Sequence, residues 1–126
     1  MAIPGRVKLF FDGGWRPATG METAVVVRGR EYVRQGLGPG SSLEAEWLAL
    51  LHAVEVAREL ALDNPVFLGD SLAVISKAAR MANATDRQPH PVSLERLPPF
   101  SGKLHARHVK RSQNLAGIAL ARLHER

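Results

Sequence analysis

The order of apolar and polar residues along the chain predicts alternating strands and helices. A mostly apolar run at residues 6–12 predicts a central strand, and β-branched or alternating runs predict a hairpin after it. Apolar residues at spacings of three and four then predict helices, with one further strand on each side of the second helix. The predicted strands are 6–12, 23–28, 31–35, 65–68 and 103–110, and the predicted helices are 41–62, 71–81 and 114–124. Residues 83–102 are proline-rich, and only a short helix at 92–97 is considered there.

The first predicted helix carries a carboxylate at the start of its apolar face. Ser41 and Glu44 have the spacing of a capping box, which places the helix start there. Glu46 shares one face with a stripe of small apolar residues: Ala49, Leu50, Ala53, Val54, Ala57 and Ala61. A carboxylate on a packed face needs a cation or hydrogen-bond donors, unless it lies at the boundary and reaches water. Both interpretations of Glu46 are open on this helix alone.

The composition is that of a globular protein with one domain. The chain has 126 residues, of which 45% are hydrophobic and 23% are charged. There is no cysteine, which excludes disulfides and thiolate metal sites and fits a reducing compartment. No apolar run approaches the roughly 20 residues of a membrane span, and the first six residues do not resemble a signal peptide. We expect a single cytoplasmic domain over residues 1–126.

The excess positive charge is confined to one end of the chain. The net charge is +5, and residues 103–126 alone hold six basic residues and one acid. A basic segment on an otherwise neutral protein predicts a polyanionic partner, most often nucleic acid. The alternative is a basic tail that only increases solubility.

Two aspartates follow predicted apolar strands. Asp12 follows the first strand and Asp70 follows the strand at 65–68, and small residues come after each. If the strands are parallel neighbours, both acids lie at the same edge of the sheet, and the start of the first helix brings Glu46 to that edge. Three adjacent carboxylates need cations, and oxygen ligands suit Mg²⁺ or Mn²⁺. Two such ions about 3.5–4 Å apart are the usual means of phosphodiester hydrolysis. Taken singly, Asp12 is also compatible with a plain turn and Asp70 with a helix cap.

Four segments resemble the ribonuclease H type 1 family, and they occur in that family's order. They are Phe10-Phe11-Asp12-Gly13-Gly14, Ala45-Glu46-Trp47-Leu48-Ala49-Leu50, Gly69-Asp70-Ser71 and His108-Val109-Lys110-Arg111-Ser112-Gln113-Asn114. Each motif is weak alone, whereas four in order at suitable spacing are fairly specific. The resemblance covers nearly the whole chain.

The resemblance implies a fold, an activity and a set of site residues. The fold is α/β, ribonuclease H-like, with a mixed five-stranded sheet and helices on both faces. The activity is endonucleolytic hydrolysis of the RNA strand of an RNA–DNA hybrid, with two divalent ions, Mg²⁺ or Mn²⁺. Asp12, Glu46 and Asp70 would be the catalytic and metal-binding residues. The residues expected to bind nucleic acid are Gly13, Gly14, Ser41, Ser42, Ser71, Lys110, Arg111 and Asn114.

One departure from the family pattern leaves the activity open. The family carries a fourth acid in a segment like Asn-x-x-Ala-Asp-x-Leu-Ala, and the matching segment at 114–121 has Ile118 in the acid's place. Isoleucine cannot bind a metal ion. The alternatives to a ribonuclease H are therefore a weak or inactive protein that binds hybrid or duplex nucleic acid, and a nuclease for other nucleic acids. No protein partner is evident from the sequence.

Overall fold

The computed structural model describes residues 6–82 and 105–124. A mixed sheet of five strands has the order β3-β2-β1-β4-β5, so the first strand lies at its centre. β1 is antiparallel to β2 and parallel to β4. The strands are β1 (Val7–Arg16), β2 (Gly20–Val27), β3 (Arg30–Arg34), β4 (Pro65–Gly69) and β5 (His105–His108), and the helices are α1 (Ser42–Glu59), α2 (Leu72–Ala82) and α3 (Leu115–Leu123).

This arrangement confirms the predicted fold class, with helices on both faces of a five-stranded sheet. α1 and α2 pack on one face, in a core that includes Phe11, Leu50 and Phe67. α3 packs on the other face through Ala116, Ala119 and Leu120, which touch β2. The short helix considered at 92–97 and the start of the predicted last strand lie outside the described residues.

The first strand is longer than predicted. The predicted strand ended at residue 12, but β1 continues through the two glycines to Arg16. The reason is pairing across the hairpin, where Gly14 lies opposite Glu22 and Trp15 opposite Met21. The sequence signals for a loop apply only to the turn at residues 17–19.

The long helix α1 ends three residues earlier than predicted. Its last turn closes in a Schellman motif, in which the Leu62 N–H donates to the Ala57 carbonyl and the Ala61 N–H donates to the Arg58 carbonyl. Ala61 adopts the left-handed conformation this motif needs, with a φ of 52°. The other members of the predicted apolar face, from Ala49 to Ala57, are wholly buried. Among the described helices, none has both the length and the apolarity to cross a bilayer.

Candidate metal and nucleic-acid site

Parallel pairing of the two central strands brings the two aspartates together. The last registered pair between β1 and β4 is Phe10 with Leu68. Asp12 and Asp70 each come two residues after that pair, so both lie where the parallel ladder ends. This is the edge at which open α/β sheets bind ligands.

A glycine lets the third acid reach the same edge. A Cβ at Gly13 would overlap the carbonyl oxygen of Ala45 and would lie 2.5 Å from the amide nitrogen of Glu46. The first turn of α1 therefore rests directly on the β1 backbone, which carries Glu46 to the aspartates. The predicted role of Gly13, admitting a nucleic-acid backbone, stays a prediction, whereas its packing role is seen directly.

The three carboxylates form a half-buried cluster. Each of Asp12, Glu46 and Asp70 offers one oxygen, and these oxygens all lie within 4.8 Å of one another. The pKa of Asp12 is raised to about 8, mainly by burial and also by the charge of Asp70 and a hydrogen bond with Glu46. Burial also raises the pKa of Glu46, while hydrogen bonds with Asp12 and Ser71 and the charge of Arg111 oppose that rise. Without a cation, the protein holds these acids together only by keeping a proton among them.

This donor set fits a divalent ion. Mg²⁺ binds oxygen at about 2.1 Å, so two ligands on opposite sides of one ion are about 4.2 Å apart. The three carboxylate oxygens lie within 4.8 Å of one another, which is compact enough for all three to bind one such ion. The identity of the ion is not set by these residues, because Mg²⁺ and Mn²⁺ both accept carboxylate oxygens.

Asn114 supports the cluster from within the protein. Its side-chain amide donates to the Phe11 carbonyl at 3.0 Å and to Asp70 Oδ2 at 2.9 Å. Its side-chain oxygen accepts from the Ala116 N–H and caps α3. Asn114 is 0% exposed, and its predicted contact with nucleic acid stays a prediction.

Two of the predicted serines cap helices. The Ser41 hydroxyl accepts from the Glu44 N–H, which is the N-cap bond of the predicted capping box, and it also donates to the Glu44 carboxylate. The Ser71 hydroxyl accepts from the Val74 N–H at the start of α2 and also hydrogen-bonds Glu46. Their predicted contacts with nucleic acid stay predictions.

An open cleft of about 860 Å³ runs beside the cluster. Its lining includes Asp12 and Glu46, together with several of the predicted nucleic-acid-binding residues: Gly13, Gly14, Ser42 and Arg111. Lys110 is exposed next to Arg111 but does not line the cleft. Arg111 is therefore the predicted cation that lies nearest the acids.

The side of the cleft formed by α3 offers no ligand. A Cβ at Gly117 would lie 3.3 Å from Asp12 Oδ2, so this helix passes close to the first acid. The next residue, Ile118, is 40% exposed and lines the cleft. The structure thus puts an aliphatic side chain at the place where the sequence comparison expected the fourth acid.

Sequence reasoning missed two residues that line the same cleft, Arg16 and Glu22. Asp12, Gly14 and Arg16 alternate along one strand, so Arg16 is on the same face as Asp12. This alternation could not be used for the prediction, because residues 13–16 were not predicted to be extended. Glu22 carries no sequence signal, since an acid in a hairpin is commonly a surface residue.

Comparison with known proteins supports the resemblance at the level of structure. No family model matches the chain, and no curated protein sequence matches it. RNase H1 from the halophilic archaeon Halobacterium salinarum is 26% identical, with a TM-score of 0.69 over 92% of this chain and 94% of that one. The N-terminal RNase H domain of a Mycobacterium tuberculosis protein is 21% identical, with a TM-score of 0.67 over 92% of this chain and 95% of that one.

An RNase H1 isolated from compost by a metagenomic approach is 19% identical, with a TM-score of 0.66 over 91% of both chains. At such identities the mycobacterial and compost proteins show the fold alone, and the archaeal protein adds similarity in sequence along nearly the whole chain. The shared fold agrees with the resemblance carried by the four motifs: the chain has a ribonuclease H-like fold and is similar to RNase H1 structures over nearly its whole length.

Proposed function

We propose that this protein is a metal-dependent endonuclease that hydrolyses the RNA strand of RNA–DNA hybrids. The observation that supports this most is the cluster of Asp12, Glu46 and Asp70, which three distant parts of the chain bring within 4.8 Å at the edge of the sheet. The open cleft beside the cluster is large enough for a nucleic-acid backbone.

Different residues of this chain would have different roles in such a reaction. Asp12, Glu46 and Asp70 would hold the divalent ions, and Asn114 and Ser71 fix the orientation of Asp70 and Glu46. When bound, the ions would supply Lewis-acid activation of the phosphate and of the attacking water. The side chain of Arg111 would attract the phosphate to the cleft. We propose two ions, Mg²⁺ or Mn²⁺, and products with 3′-hydroxyl and 5′-phosphate ends.

The test is incubation of an end-labelled RNA–DNA hybrid with Mg²⁺ and, separately, with Mn²⁺. We expect cuts within the RNA strand, none in single-stranded RNA or in a DNA duplex, and no cutting by Asp70→Asn. Cleavage that persists in Asp70→Asn, or that requires no divalent metal, would contradict the proposal. Cleavage of single-stranded RNA or of DNA would instead indicate a nuclease of different specificity on the same fold.

Ile118 favours a second candidate function, a protein that binds hybrid or duplex nucleic acid without cutting it. With an aliphatic residue on the α3 side of the cleft, Asp12 has no fourth carboxylate beside it there. Tight binding of the hybrid without cleavage under either metal would support this candidate. The same incubation therefore distinguishes the endonuclease from the protein that only binds nucleic acid.

A further inference from the structure

A buried carboxylate outside the acidic cluster gathers side chains from three parts of the fold. Glu22 is 3% exposed, and His124 Nε2 lies 2.8 Å and 3.0 Å from its two carboxylate oxygens. Gln35 Nε2 donates to Glu22 Oε1 at 3.4 Å, and Arg16 Nε lies 4.0 Å from Oε2. A carboxylate is buried at acceptable cost only with such partners, so Glu22 is a fixed anchor between the end of α3 and the end of β1.

The packing around this anchor leaves it little freedom. A Cβ at Gly14 would lie 3.3 Å from Glu22 Oε2, so the carboxylate lies directly against the β1 backbone. Gly14 is also the residue that faces Glu22 across the β1–β2 ladder. The glycine thus provides room for Glu22, in addition to its predicted role toward nucleic acid.

Of the three side chains that approach Glu22, Arg16 is the one that also lines the cleft. Its side chain is 48% exposed, and Glu22 is its only ion-pair partner among the described residues. At 4.0 Å that pair leaves most of the five N–H donors of the guanidinium for another acceptor. A planar guanidinium at the wall of a nucleic-acid cleft suits a phosphate group.

The position of Arg16 along β1 determines which phosphate of the bound strand its side chain can contact. Asp12 and Arg16 are four residues apart on the same face of an extended strand, which is about 13 Å. We propose that Arg16 contacts a backbone phosphate of the strand that is cut, about 13 Å from the scissile phosphate, and that Glu22 is the positioning residue that holds Arg16 there. This inference rests on the proposed function, because that function places the scissile phosphate at the acidic cluster.

The first test is the salt dependence of hybrid binding, measured in EDTA so that no cleavage occurs. One phosphate contact contributes about 0.9 to the slope of log K against log salt. We expect Arg16→Ala to weaken binding by about tenfold and to lower that slope by about 0.9. Because Arg16 is exposed, the variant is expected to fold normally. An unchanged slope would overturn the inference.

A matched control removes the same charge elsewhere. Arg58 is exposed in the last turn of α1, twelve residues from Glu46, which is about 18 Å along the helix. We expect Arg58→Ala to leave both affinity and slope at the parent values. A slope that falls equally in Arg58→Ala would show that only net charge is being measured, and this too would overturn the inference.

The second test measures whether Glu22→Gln tightens or weakens binding of the hybrid. Removing a negative charge beside the cleft should tighten binding if Glu22 acts only through its own field. If Glu22 positions Arg16, the same variant should bind a few-fold more weakly, and the double variant with Arg16→Ala should bind no more weakly than Arg16→Ala alone. Tighter binding by Glu22→Gln would contradict the positioning role.

The third test locates the phosphate. Single phosphates of the cut strand are replaced by neutral methylphosphonates, and binding by the parent and by Arg16→Ala is compared. We expect one position, a few nucleotides from the cut, where the replacement weakens the parent but not Arg16→Ala. Absence of such a position would overturn the inference while the proposed function stands. If the parent neither binds nor cuts the hybrid, the proposed function is wrong and the inference with it.

Discussion

The side chain of Asn114 donates a hydrogen bond of 2.9 Å to Asp70 Oδ2, although the two residues are 44 positions apart in the chain. The same amide donates to the Phe11 carbonyl, and the Asn114 side-chain oxygen caps α3. One buried asparagine therefore joins β1, the end of β4 and the start of α3. Its position makes it a support of the acidic cluster.

Asn114→Ala should reduce both stability and metal affinity. The variant loses a helix cap, a buried hydrogen bond to Phe11 and a partly buried one to Asp70, so we expect the free energy of unfolding to fall by about 2–4 kcal/mol in urea denaturation. Leu115→Ala is the control, because Leu115 is its neighbour and is 44% exposed. A loss no larger than that of the control would show that Asn114 is not the support we describe.

A bound divalent ion should stabilise the protein through Asp12. Adding Mn²⁺ at a hundredfold excess over its Kd should raise the free energy of unfolding by about 2.7 kcal/mol. Asp12→Asn should abolish this gain. In EDTA at neutral pH the variant should also be more stable than the parent, because the parent must protonate the buried Asp12 carboxyl to fold and the neutral amide need not. The measurement is urea denaturation of both proteins with Mn²⁺ and with EDTA. Equal stabilisation of both by Mn²⁺ would place the ion elsewhere.

Gly13→Ala should move α1 away from β1. The new Cβ would overlap the Ala45 carbonyl, so the helix must shift or the variant must unfold more easily, with a loss of about 2 kcal/mol or more. Because the shift displaces Glu46, Mn²⁺ affinity should fall as well, which isothermal titration would measure.

Gly29→Ala is the control for that change. Gly29 has a φ of 78° but nothing within 4 Å of a Cβ, so we expect a cost of about 1 kcal/mol and unchanged Mn²⁺ affinity. If both variants lost Mn²⁺ affinity equally, the close contact between α1 and β1 would not be what places Glu46.

Ile118→Asp should increase metal-dependent turnover. A carboxylate at this position would join the cleft on the α3 side, where Asp12 has no acid neighbour, and would bind the ion more tightly. We expect the rate of hybrid cleavage in Mg²⁺ to rise about tenfold or more. Leu123→Asp, a similarly exposed change on the same helix but outside the cleft lining, should have no effect. No gain in Ile118→Asp would mean that the fourth acid has a different equivalent.

His52 should make the stability depend on pH. His52 lies in α1 and is buried against the sheet, where Thr23 Oγ1 lies 2.8 Å from its Nδ1. Burial lowers the pKa of His52 from 6.5 to about 4. Between these values the unfolded chain binds the proton and the folded protein does not, so stability falls as the pH drops from about 6.5 to about 4. We expect the fall in the free energy of unfolding across this pH window to be about 2 kcal/mol smaller in His52→Gln than in the parent.

The measurement for His52 compares urea denaturation at pH values at the two ends of that window. Other groups titrate there as well, so the parent and the variant are compared at each pH. Identical pH profiles for the parent and His52→Gln would contradict the role of burial.

The fold was predictable because it depends on local pattern. Strands and helices were placed from apolar spacing, and the capping box at Ser41 marked the start of α1 correctly. The end of α1 was not predicted correctly, because Ala61 takes a left-handed conformation that alanine seldom adopts. The full length of β1 was also missed, since only the partner strand shows that two glycines and a tryptophan are extended.

The acidic cluster could be predicted for a similar reason. Asp12, Glu46 and Asp70 each mark the end or start of an apolar element, and sheet topology brings those ends together. The support that Asn114 gives to the cluster could not be predicted, and neither could the burial of Glu22 against His124, because both depend on contacts between distant parts of the chain. Polar residues of this kind look like surface residues until their burial is known.

The central position of β1 has a consequence for folding. Its neighbours come from both halves of the chain, β2 before α1 and β4 after it, and α3 closes over the same strand last. A nascent or partly opened chain in which β4 has not paired with β1 would leave Asp12 and Asp70 apart, without the compact cluster that suits a metal ion. Binding of the ion would then depend on the pairing of these distant parts of the chain.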